Sequence, residues 1–161
     1  MNFRTGSIIG LLAIALGSAL AAEPLASETP PTAQVTQEPD TASVATRSAA
    51  LDLAGAFAND GYKVRDGYWT QIITPEASAI VEVNLFAGNE YWFSASAAPQ
   101  APQKIAVTVF DRAGRIVDQQ RFDEGFRGAA GFEPTSSGQF YVRVQLMEGA
   151  PTPITLVYSY K

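Results

Sequence analysis

The run from Gln139 to Met147 alternates without a fault. Phe140, Val142, Val144 and Leu146 fall on one side, and Gln139, Tyr141, Arg143 and Gln145 on the other. Successive side chains of a strand point to opposite faces, so this period of two predicts a half-buried β-strand. The same grammar recurs along the chain. Residues 79–86 set Val81, Val83 and Leu85 against Glu82 and Asn84, and residues 91–97 return after the turn Ala87-Gly88-Asn89. Those two runs read as a hairpin. Residues 104–110 are β-branched, with Ile105, Val107 and Val109 on one face, and Asp111 to Gly114 is a tight turn leading back into a strand over 115–122. Residues 68–73, a glycine-rich 125–132 and a closing 154–160 complete the set. Short strands separated by turn residues, with no helical period between them, predict two packed antiparallel sheets. The expected fold is therefore all-β: an antiparallel sandwich, jelly-roll or Ig-like, of about eight strands.

Ahead of the strands the pattern changes three times. Residues 1–21 read as a signal peptide: Arg4 supplies the charge, Ile8 to Leu16 the apolar centre, and Ala19-Leu20-Ala21 a small-x-small cleavage site. The apolar run is shorter than the ~20 residues a spanning helix needs. Nothing after it is apolar enough to span a membrane, so no transmembrane segment is expected after cleavage near Ala21. Residues 22–47 are rich in Ala, Thr, Ser and Gln, are interrupted by Pro24, Pro30, Pro31 and Pro39, and show neither apolar period. This composition predicts a disordered linker. The folded domain is expected over 48–161. It opens with one short helix, capped by Ser48 and running to about Asn59, with Leu53 and Phe57 one turn apart to staple it onto the sandwich and Gly61 placed to end it.

Composition narrows the chemistry. With 47% hydrophobic and 11% aromatic residues, the 161-residue chain can build a real core. The net charge of −5 comes without any basic run, which argues against nucleic acid as a partner. The chain has no cysteine and no histidine. That removes disulfides, thiolate and imidazole metal ligands, cysteine nucleophiles and an imidazole general base. No Gly-x-Ser-x-Gly elbow or phosphate loop is present. The expectation is a protein that is not an enzyme and needs no cofactor. An exported chain without cysteine suits a bacterial periplasm or the cell exterior.

Three segments in order carry a resemblance. Val83 to Phe93 gives an apolar strand, a small-Gly turn and an aromatic strand. Val109 to Val117 gives strand, Asp, turn Gly, strand. Ser137 to Val144 gives a closing strand opened by Gly138. In this order they resemble the prepeptidase C-terminal (PPC-like) domains of bacteria, over roughly residues 79–160. The resemblance implies a β-sandwich with an accessory or binding role, since members are usually tails of secreted hydrolases. Here the sandwich stands without a hydrolase before it, and the acidic pair usual after the second hairpin is echoed only by Asp123-Glu124.

Two constellations remain. Asp111, Asp118, Asp123 and Glu124 lie around one hairpin, where oxygen ligands suit a weak calcium site or, more simply, solvated turns. Trp92 falls out of phase with Phe93, and Tyr141 and Arg143 sit on the polar side of their strand. Exposed aromatics on a sheet face stack sugars or anchor proteins. Trp92, Tyr141 and Arg143 are thus the candidate binding residues, unless the helix or linker covers them. The function this supports is an envelope binding or accessory module for a polysaccharide or an exported protein; the alternative is a structural component that self-assembles through an exposed sheet edge.

Overall fold

The computed structural model describes residues 40–99 and 103–161. The signal peptide expected over 1–21 and most of the linker expected over 22–47 lie outside the described residues. Among the described residues nine strands form two antiparallel sheets, with one α-helix outside the larger one. In chain order these are α1 (Thr41–Gly55), a 3-10 turn (Ala58–Asp60), β1 (Lys63–Val64), β2 (Trp69–Ile73), β3 (Ser78–Leu85), β4 (Tyr91–Ala97), β5 (Lys104–Phe110), β6 (Gln120–Glu124), β7 (Arg127–Phe132), β8 (Gly138–Glu148) and β9 (Thr152–Tyr160). The larger sheet runs β1-β9-β4-β7-β6, with β2 beside β1 on the same flank of β9; the smaller runs β3-β8-β5. The fold is the expected all-β sandwich with a short N-terminal helix.

Alternation decides which side faces the core. On β8, Phe140, Val142, Val144 and Leu146 are buried, the last three completely. They meet the inward residues of the larger sheet, among them Phe93 and Ala95 of β4 and Ile154 and Leu156 of β9. β8 pairs with β3 from Ser78↔Gln145 to Leu85↔Gly138 without a break, and with β5 on its other flank. It is the centre of its sheet, as β9 and β4 are of theirs.

The other face of the larger sheet is also covered. α1 lies on β9 and β4, burying Thr46, Ala50, Leu53 and Ala54. The contact is made of small side chains: Ala50 and Ala54 meet Val157. Three hydroxyls form a chain across it, Thr46 Oγ1 to Thr155 Oγ1 at 2.8 Å and Thr155 Oγ1 to Thr70 Oγ1 at 2.8 Å. This corrects the expected boundary. The helix starts at Thr41 instead of Ser48, capped by Asp40, whose carboxylate accepts from the Ala42 N–H at 3.4 Å. Residues 41–47 therefore belong to the domain and not to a linker. Their periodicity is invisible because the buried face uses Ala and Thr in place of large apolar residues. Gly61 does adopt a left-handed φ of 90°, but it ends the 3-10 turn after the helix.

The strand expected over 115–122 is divided. Ile116 bridges Phe110, the Val117 N–H donates to the Val109 carbonyl at 3.1 Å, and the Gln119 side-chain oxygen accepts from the Val109 N–H at 2.8 Å. This stretch seals the outer edge of β5 before the chain crosses to β6 in the other sheet. An amide side chain stands in for a backbone partner where the crossing interrupts the ladder.

The C-terminal strand is clamped at its tip. Tyr62 Oη donates to Glu90 Oε2 at 2.7 Å, and Lys161 Nζ lies 3.1 Å from the same oxygen. The hydrogen bond from Tyr62, followed by the Lys161 ammonium, lowers the Glu90 carboxyl below its ordinary 4.5.

Two outcomes are expected. Val144→Asp should abolish folding, seen as loss of the cooperative unfolding transition, because a buried carboxylate without a partner costs several kcal/mol or more. Glu90 is depressed in the folded state, so its contribution is present above its ordinary value and lost as the pH falls through the folded one. Tyr62→Phe should therefore reduce the fall in melting temperature between about pH 7 and about pH 3.

Candidate functional site

The three residues singled out from the sequence do not share a surface. Tyr141 and Arg143 project from the outer face of the smaller sheet, while Trp92 projects from the outer face of the larger one, on the opposite side of the sandwich. Trp92 is out of phase with the core as expected, but it is not free. Its six-membered ring lies over Gly131, its neighbour across β7, where an added Cβ would come within 2.8 Å of the ring. Phe57 stacks on it, with ring centroids 4.2 Å apart and planes 10° from parallel. Trp92 is the anchor for the end of the helical segment, and a joint Trp92–Tyr141 binding face does not exist. Tyr141 and Arg143 are half-buried, and the Arg143 guanidinium sits 4.9 Å over the Phe110 ring.

Of the acidic residues along the β5–β6 connection and β6, Asp111 and Glu124 are engaged separately. Asp111 accepts from the Arg115 backbone N–H at 2.9 Å and from Arg115 Nε at 2.8 Å; these contacts, the backbone one foremost, hold its carboxyl below the ordinary value. Glu124 pairs with Arg127 at 3.1 Å. Among the described residues no three Asp, Glu, His or Cys side chains come together as a metal site would require.

One concavity that the fold creates, and the one flanked by two exposed aromatic rings, lies at the open flank of the sandwich. β2 is an edge of the larger sheet and β3 an edge of the smaller. A tight turn joins them, in which the Ala77 N–H donates to the Thr74 carbonyl at 3.1 Å and Glu76 takes a positive φ of 65°. From this closed end the sheets diverge, leaving a wedge of about 430 Å³ between residues 65–69 and 81–86. Its floor is apolar: Trp69, Val81, Val83 and Leu156 reach it from the core. Tyr68 and Phe86 stand at its rim, 57% and 59% exposed. Arg65 lies 5.5 Å over the Tyr158 ring, and Asp66, Glu82 and Asn84 add hydrogen-bonding groups.

Burial raises the pKa of the Tyr158 phenol, against the opposing influence of Arg65. The phenol therefore remains a neutral donor–acceptor at neutral pH. Such a cleft can stack flat or apolar groups against its rim and floor while satisfying polar groups along its walls.

Sequence patterning gave no access to this cleft. Tyr68 and Phe86 each flank a turn, Asp66-Gly67 and Ala87-Gly88-Asn89, and aromatics beside turns were the available signal. That the two turns face each other depends on how the sheets splay. Tyr141 adjoins the site, being paired across the ladder with Glu82.

Trp92→Ala should lower stability by about 1–3 kcal/mol in denaturant unfolding, since a stacked pair contributes about 0.5–1.5 kcal/mol beyond the area it buries. Unchanged stability would mean that Phe57 does not hold the ring. Compared with protein-family models and with curated proteins, the chain matches none at a significant level.

Proposed function

We propose that this protein is an exported, non-catalytic binding or accessory module of the bacterial envelope, acting through the cleft between β2 and β3. The carrying observation is that cleft: an apolar floor, two exposed aromatic rings at the rim, and a cation, two carboxylates and an amide on the walls. A binding role without catalysis is supported by the side chains present. The chain has neither imidazole nor thiol, and Asp66 and Glu82 have no hydrogen-bonded partner among the described residues to orient either as a base. The resemblance to prepeptidase C-terminal domains supports an accessory role.

Placement outside the cytoplasm, periplasmic or extracellular, rests on the pattern of residues 1–21 and the absence of cysteine. No helix among the described residues is long and apolar enough to cross a membrane. The ligand on this reading is an envelope polysaccharide or an exported protein.

The test is retention on an insoluble envelope fraction, measured by co-sedimentation. The double variant Tyr68→Ala/Phe86→Ala should lose at least about fivefold in apparent affinity, in keeping with the share of binding energy carried by central aromatics. Its melting temperature should stay close to that of the parent, because both rings are exposed. Undiminished retention would remove the cleft from the function.

A further inference from the structure

We infer that the occupant of this cleft is an extended segment of another polypeptide, which adds as a fourth strand to β3. The inference rests on the cleft being the binding site, and it names the ligand class.

The four sheet flanks differ in how they are finished. The outer edge of β5 is sealed by Ile116 to Gln119. β6 is five residues long, almost wholly exposed, and carries Arg121, Asp123 and Glu124, the charged composition that discourages pairing. The flank formed by β1 and β2 is interrupted between Val64 and Trp69. Among the described residues β3 has none of these protections. It is eight residues long, pairs with β8 in unbroken register, and contains no proline, no lysine and a single charge, Glu82. Ile80 on its outer face is 65% exposed. A strand with one neighbour leaves every second pair of backbone N–H and C=O groups unsatisfied by the sheet, and such an edge is a template for another strand.

The wedge beside it fits the side chains of that strand. Alternate residues of an incoming chain would point onto Trp69, Val81, Val83 and Leu156 and replace water over an apolar floor. The remaining residues would lie on the outer face beside Ile80, Glu82 and Asn84. Neither Glu82 nor Asp66 forms a salt bridge among the described residues, so the partner strand is apolar at alternate positions and basic where it passes Glu82.

Charge argues against a second copy as the occupant. Two β3 strands related by a two-fold axis can keep their core faces aligned about Glu82 or about Val81. The first register sets the two Glu82 carboxylates directly opposite, about 5 Å apart, and the second sets them on the diagonal, about 7–8 Å apart. Each copy also carries a net charge of −5.

The test uses the full isotope-labelled chain with a capped seven-residue peptide of alternating valine and threonine, beginning and ending in valine, its central threonine replaced by lysine. Saturable binding is expected, with slowed amide exchange at alternate residues of Ser78–Leu85. A matching peptide with glutamate at the central position should bind about fivefold more weakly, and Glu82→Lys should reverse that preference. Ile80→Ser, at an exposed position, should weaken both peptides without unfolding the protein. Equal affinity for the two peptides in parent and variant overturns strand addition. A neutral chito-oligosaccharide that shifts the resonances of Tyr68 and Phe86 while the peptides do not overturns it too, but leaves the cleft as the binding site. Protection of β3 that grows with protein concentration alone overturns it in favour of a second copy. Silence of all probes, together with unchanged envelope retention of Tyr68→Ala/Phe86→Ala, removes both the strand and the cleft.

Discussion

Most of this structure follows from burying the larger sheet on both faces. One face packs on the smaller sheet, as in any sandwich. The other receives α1, and it can do so because β4 and β9 offer Ser94, Ser96, Thr155, Val157 and Ser159 there instead of charges. Small and hydroxylated side chains let the helix approach closely. Their polar atoms must then find partners, which the chain of Thr46, Thr155 and Thr70 supplies for three of them. The hydroxyls of Ser94 and Ser159 have no protein partner. The helix is thus held by fit and by the stack of Phe57 on Trp92 more than by apolar area.

The same asymmetry produces the cleft. A six-stranded sheet facing a three-stranded one leaves part of the wider sheet without an opposite number. On the β5 side the chain fills the gap with residues 115–119. On the β3 side nothing comparable is supplied among the described residues, and the sheets part from the Thr74–Ala77 turn outward. The floor there is made of core-facing residues of both sheets, Trp69 and Leu156 from the larger and Val81 and Val83 from the smaller, which is why the site is apolar below and polar only along its walls.

How far the sequence revealed this depended on solvent. Where a strand has one wet face, as β3 and β8 do, alternation marks its register, and Val83 and Val144 are identifiable as core on sight. Where both faces are covered, the outer side need not be charged, and the pattern loses contrast. Trp92 shows the cost: its phase was legible, but the ring covering it comes from Phe57, 35 positions earlier in the chain. The early start of α1 was hidden for a related reason, since a helix that buries threonine and alanine presents no apolar stripe. The cleft was hidden because it is a relation between two turns on different sheets, which local spacing cannot encode.

The position of the central strands in the chain sets the order of assembly. β8 and β9, the last two strands, sit in the middle of their respective sheets, and α1, the first element, rests on β9. Until Glu148 has been delivered β3 and β5 have no common neighbour, and until β9 follows β2 and β4 are not joined and the helix has only part of its seat. Topologies dominated by such distant pairings fold slowly. A chain threaded N-terminus first through a narrow channel would therefore complete neither sheet until its last two strands had emerged on the far side.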